Sequence, residues 1–515
     1  MSSTLLAGVY SDGIVLQRNK DIIISGYEDK LAEVKVTLAD IEVKASVSEG
    51  RFKAVLPPMD AAEGLTLTVE GTDTVQATDV CIGDVFMLSG QSNMELPVSR
   101  TYDENKEEVD AKDYPFIRQI YVEPDYGLPE KGGASVCAFP GGRWRKAEGE
   151  DKMAFSAVGF YAARRIYDRT NVPIGLILNA KGGASIESFM CEEDLTAAGI
   201  REDDIAPFRG EGVIKDYVAS AEAYTASWRE STVDKDFEID KALESASEVE
   251  LPGIAVKDAA GSVWFVKEFE LGYQPEGDCL LRLGDLIDAD VTYVNGTEVG
   301  RTEYQYPPRK YHLDGSVLKQ GRNTVAVRLI IELGKGGFVP GHPYFLRTDK
   351  ETIDLTGTWK MVMEKKVDAF VPRKMPVMIP ASIYYSCLVP FEGYPIAGIW
   401  WYQGESNSDD PKRYDIKMAL MFKKMREMFG NVPIVIVRIA DYINPLTFAT
   451  EVPEGWRKIQ ELQTEAAKLI RDLKVVDAPV TDPVYELHPP DKSGIGEGIA
   501  AAVLGQDIIK KSPIV

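Results

Sequence analysis

Hydrophobic and polar positions change their rhythm four times along this chain. Over residues 1–78 the rhythm is two: Val34, Val36 and Leu38 alternate with Lys35 and Thr37, and Leu65, Leu67 and Val69 alternate with threonines. That period belongs to half-buried strands, and glycines and prolines break the runs at short intervals, which predicts a small antiparallel β-sandwich. From residue 79 continuous apolar runs take over. Val85–Leu88 and Ile174–Leu178 read as buried strands, and Ala157–Arg169 reads as a helix through apolar Val158, Tyr161, Ala162 and Ile166. A polar, charge-dense helical stretch follows over residues 195–247. Residues 250–370 return to β, with strands at Trp264–Val266, Leu281–Leu283 and Thr324–Ile330, and an Asn295-Gly296 hairpin turn inside Tyr293–Val299. After 371 the α/β rhythm resumes, with strands at Ala397–Trp401, Ile434–Ile439 and Leu473–Val476, helices over 412–429 and 456–472, and Gly430 as a helix stop. An α/β pattern that is interrupted and then resumes predicts one α/β domain, 79–249 plus 371–515, with a β domain inserted at 250–370.

Composition narrows the partners. With 515 residues, 44% hydrophobic and 27% charged, the chain reads as a soluble multidomain protein. A net charge of −23 argues against nucleic acid and anionic membranes, and places no constraint on a neutral sugar. Apolar runs stay far short of the roughly 18 residues of a membrane span. The start, MSSTLLAGVYSDG, lacks a basic n-region and an adequate h-region, so no signal peptide and a cytoplasmic location are expected. Cys81, Cys137, Cys191, Cys279 and Cys387 are scattered without CxxC spacing, as buried reduced thiols would be. No partner chain is called for, and a homo-oligomer is left open.

The chemistry sits at strand ends. Gly90-Gln91-Ser92-Asn93-Met94 follows the Val85–Leu88 run, where a sharp turn would lift the Ser92 hydroxyl above the carboxyl edge of a sheet. A plain helix-capping turn would use the same residues. Lys181-Gly182-Gly183-Ala184-Ser185-Ile186-Glu187 follows the next strand, and its paired glycines let backbone N–H groups approach a ligand. Gln403-Gly404-Glu405-Ser406-Asn407 follows Trp400-Trp401-Tyr402 and offers side-chain amides. Of three histidines, His312 and His342 fall in the inserted block, which leaves His488 as the base available to the α/β part. HExxH and other metal-ligand spacings are absent, and Lys335-Gly336-Gly337 leads into no helix, so neither a metallohydrolase nor a phosphate loop is expected.

With GQSNMELPV, FSAVGFYAARRIYDRTNVPIGLI, GGASIESF, IWWYQGESN and ELHPPDKSGIG in this order, the chain resembles the SGNH hydrolases, specifically the sialate O-acetylesterase-like carbohydrate esterases. SDGIVLQR and the 280–330 stretch resemble that family's accessory β domains. The resemblance implies a three-layer α/β/α core with a parallel sheet, an N-terminal β-sandwich and an inserted β jelly roll. It implies Ser92 as nucleophile and His488 as general base. The Ser92 and Gly183 N–H groups, with the side chain of Gln403 first or Asn407 second, would form the oxyanion hole. Gln91, Asn93, Met94 and Glu405 would line the substrate. One position departs from the pattern: Tyr485 stands where the family carries the aspartate that orients the histidine. Glu486, Asp482 or a backbone carbonyl, in that order, is expected to replace it.

The reading is a serine esterase removing O-acetyl groups from mono- or oligosaccharides through an acetyl-enzyme, with no metal or cofactor. An acetylxylan- or acetylmannan-type esterase, or a carbohydrate-binding protein with a decayed site, are the alternatives.

Overall fold

In a computed structural model, residues 3–131, 142–447, 449–479 and 484–505 are described. The protein is mixed α/β, and the feature that positions the site is a row of parallel strands. Its order is Tyr114–Tyr121, Ile174–Ala180, Thr74–Gly90, Gly398–Tyr402, Ile434–Arg438 and Leu473–Asp477. Strands Ile174–Ala180 and Gly398–Tyr402 are buried at every position, as a sheet covered on both faces requires. The chain winds to one side of the Thr74–Gly90 strand first. After the 250–370 block it winds to the other, so the order reverses around that strand. Such a switch point opens a crevice at the carboxyl ends, where ligands of open α/β sheets bind.

Register sharpens this. Ala180 and Tyr402 both pair with Gly90, so three neighbouring strands release their loops at one level. Gly90 lies at φ 134°, and a Cβ there would stand 2.1 Å from the Tyr402 carbonyl oxygen. Only glycine lets the strands end this close together.

The boundary expected at 78/79 falls within one unbroken strand, Thr74–Gly90, which pairs with Ala62–Glu70 at its start and Ile174–Ala180 at its end. The N-terminal β region therefore hangs from the central strand of the α/β sheet. Residues 249–361 contribute a separate hydrophobic cluster, built around Phe265, Leu281, Val327, Phe338 and Trp359. The Asn295-Gly296 turn is present, with φ of 49° and 81° between paired Val294 and Thr297. The polar 195–247 stretch breaks up into shorter pieces around one helix, Val213–Ser231, because it has little to bury: Ile214 is the helix's one buried residue. No helix among the described residues is long and apolar enough to cross a membrane. Cys81, Cys191, Cys279 and Cys387 are buried and unbridged; Cys137 lies outside the described residues.

Candidate active site

Ser92 opens a one-turn helix, Ser92–Glu95, directly after the Gly90 strand end. Gln91, rather than Ser92, occupies the capping position, and the Ser92 hydroxyl is free to face His488: Oγ and Nε2 lie 2.8 Å apart. Burial, with Lys492 and Arg100 nearby, pushes the His488 imidazole down to about 3, so the ring is neutral and Nε2 can accept the hydroxyl proton. The edge of Tyr306 packs against the His488 ring, with centroids 5.5 Å apart. Tyr306 belongs to the inserted block. Its loop is pinned by Arg309, which is buried, pairs with Asp290 at 2.7 Å and donates to the Gln305 and Pro307 carbonyls.

On the other flank, the Gly182–Gly183 loop runs close beside the serine; a Cβ at Gly182 would be 3.8 Å from that of Ser92. Gly182 N–H donates to Glu95 at 2.6 Å, which anchors the loop to the serine helix. Gly183 adopts φ 75°, and among the described residues neither its N–H nor that of Ser92 is taken up by a protein acceptor. Asn407 is fixed from three directions. Its Oδ1 accepts from Ile186 N–H at 3.0 Å and Gln403 Nε2 at 2.7 Å, and its Nδ2 donates to Glu187 at 3.0 Å. Glu187 in turn pairs with Lys417 at 2.5 Å. Burial would raise the Glu187 carboxyl, but the Lys417 ammonium and the Asn407 amide hold it below its usual range.

This arrangement can run acyl transfer: a hydroxyl hydrogen-bonded to a neutral imidazole, beside N–H groups with no partner of their own. Residues 387–494, which carry Gln403, Asn407 and His488, match the family model "Carbohydrate esterase, sialic acid-specific acetylesterase". That segment is similar to the carbohydrate esterases. The chain is 27% identical over 222 residues to the sialate O-acetylesterase of Pongo abelii, covering 39% of this chain and 42% of that protein. To the sialate O-acetylesterase of Homo sapiens it is 26% identical over 220 residues, again 39% and 42%. The match thus spans less than half the length of these relatives. In fold it is similar to XAC1771, a carbohydrate acetylesterase from Xanthomonas citri, with a TM-score of 0.55 at 17% identity, covering 97% of this chain and 74% of that one.

Several expected residues take other places in the structure. Gln403 is fully buried with its amide spent: Nε2 donates to Ala184 O and Asn407 Oδ1, and Oε1 accepts from Tyr414. It orients Asn407 and has no N–H left for an oxyanion, whereas Asn407 keeps its second amide N–H. Gln91, Asn93, Met94 and Glu405 are buried. Met94 is 0% exposed; Gln91 accepts from Ser406 N–H at 3.1 Å. Asn93 donates to Glu405 at 2.7 Å and to Leu487 O at 3.0 Å, and accepts from Lys492 at 2.6 Å.

Glu486 does not reach the His488 ring. Its Oε1 accepts the backbone N–H of His488 at 2.8 Å, because one residue of separation turns the carboxylate toward the main chain. Among the described residues neither Tyr485 nor a carboxylate hydrogen-bonds that ring; Asp482 lies outside them. Lys492, Glu187, Lys417 and Tyr306 were not singled out from the sequence. Lys492 and Glu187 sit inside the quoted ELHPPDKSGIG and GGASIESF motifs and Tyr306 inside the 280–330 stretch, which is the signal that was available. Lys492 is fully buried and pushed down to about 7 by that burial, against the pull of Glu405 and Glu486.

Proposed function

We propose that this chain is a serine carbohydrate O-acetylesterase, with acetylated sialic acids as its first substrate class. The observation that carries the reading is the 2.8 Å contact between Ser92 Oγ and His488 Nε2, next to the unengaged N–H groups of Ser92 and Gly183. The match of residues 387–494 and the two relatives supply the sugar-ester class. Ser92 attacks the acetyl carbonyl as His488 takes its proton. The oxyanion is met by the Ser92 and Gly183 N–H groups and the second N–H of Asn407. His488 then returns the proton to the departing sugar hydroxyl and activates the water that releases acetate.

In finer terms, the parallel sheet with its site at the switch point supports an SGNH-type α/β/α core. The separate 249–361 cluster supports an inserted β domain of jelly-roll type. A carbohydrate-binding remnant would have no reason to keep a hydroxyl and a neutral imidazole in hydrogen-bond contact.

Ser92→Ala tests the reading. It should lower release of p-nitrophenol from its acetate by at least about 10⁴-fold, leave thermal unfolding unchanged, and abolish labelling by a serine-reactive phosphonate. Retained hydrolysis would remove Ser92 as nucleophile. Acetate release from acetylated sialic acids, xylo-oligosaccharides and manno-oligosaccharides then ranks the sugar.

A further inference from the structure

Where the inserted block meets the His488 loop, three side chains converge that the esterase chemistry does not use. Asp285 follows the Asp278–Leu283 strand, His342 lies between the Gly336–Phe338 and Tyr344–Arg347 strands, and Glu486 comes from the loop that carries His488. The two inserted-block loops are in tight contact: a Cβ at Gly284 would stand 2.5 Å from that of His342. His342 Nδ1 is 3.7 Å from Glu486 Oε2, and His342 Nε2 is 3.8 Å from Asp285 Oδ2. One ligand atom from each residue lies within 4.8 Å of the other two.

These gaps are too long for hydrogen bonds. The His342 and Asp285 side chains are each 6% exposed and that of Glu486 11%, yet among the described residues His342 Nε2 and Asp285 Oδ1 have no hydrogen-bond partner. Buried polar atoms left this way cost stability unless something meets them.

We infer that Asp285, His342 and Glu486 form a binding site for a divalent metal ion that ties the inserted block to the His488 loop. One nitrogen and two carboxylate oxygens suit Zn²⁺ or Mn²⁺ better than Ca²⁺ or Mg²⁺, which prefer all-oxygen shells. One ion takes one ring nitrogen of His342, and the three ligand atoms, now within 4.8 Å of one another, must draw in to the roughly 3.3 Å that separates ligands on one Zn²⁺ with bonds near 2 Å. Glu486 Oε1 stays with the His488 backbone while Oε2 takes the ion. The ion would be structural, and the inference stands apart from the esterase reading.

The test is calorimetric titration of the untagged, chelator-treated full chain with ZnCl2, with MnCl2 and CaCl2 as comparison arms. One Zn²⁺ should bind per chain, with Ca²⁺ far weaker, and Zn²⁺ should raise the unfolding temperature. His342→Ala and Asp285→Asn should each lose that binding and that thermal shift. Asp285→Asn keeps the side-chain shape, so it decides alone if His342→Ala fails to fold. Absence of binding to the wild-type chain, or binding unchanged in the variants, overturns the site, whatever the esterase activity.

Discussion

The two flanks of Ser92 are built in different ways. The donor flank is made of loops from adjacent parallel strands, and its side chains lock one another: Gln403 holds Asn407, Asn407 meets Glu187, and Glu187 pairs with Lys417. The base flank has no such scaffold beneath it. His488 follows the edge strand Leu473–Asp477 and is brought back across the sheet. There it is held by Lys492 through Asn93, by Glu486 on its own backbone, and by Tyr306 from the inserted block. One flank is thus fixed by strand register and the other by contacts between distant segments. Residues on the donor flank should act through orientation and stability, and those on the base flank through the placement of one ring.

Three substitutions probe that contrast, in decreasing free-energy effect. Lys417→Met leaves Glu187 charged, buried and unpaired, and should lower unfolding stability by roughly 3–5 kcal/mol, measured by urea denaturation. A loss under about 1 kcal/mol would mean that the pair is solvated and the donor flank is not a single network. Asn407→Ala should cut kcat about 10²–10³-fold with little change in KM, as removal of one oxyanion donor does. An unchanged kcat would return the oxyanion role to the two backbone N–H groups alone.

Glu486→Gln is expected to be the mildest. A glutamine oxygen still accepts the His488 backbone N–H, so turnover should stay within about tenfold of wild type, against the roughly 10⁴-fold cost of neutralising a true triad acid. A collapse of that larger size would show that the carboxylate charge acts on the imidazole after all, and would redraw the base flank.

What the sequence alone established follows this same division. Strand-end loops announce themselves locally, because a buried apolar run followed by glycine and small polar residues has few other structures available. Ser92, Gly183 and the Gln403–Asn407 loop were therefore visible, as was the single histidine in the α/β part. Which amide is left with a spare N–H was not visible: Gln403 and Asn407 are both donors by type, and only the Ala184 carbonyl and Asn407 Oδ1, which accept from Gln403 Nε2, use up its hydrogens. The four residues expected to line the substrate were placed by proximity in sequence to Ser92, Gln403 and Asn407. Asn93 and Met94 on the one-turn helix and Glu405 on a short 3-10 turn are buried, and Asn93 donates to Glu405. That the inserted block would wall one side of the Ser92 cleft was an expectation from the sequence, but which of its residues do so was not legible there. Tyr306 and His342 lie some 180 and 150 residues from His488, and a contact at that range comes from how two separately packed cores dock, which no local pattern of apolar and polar positions encodes.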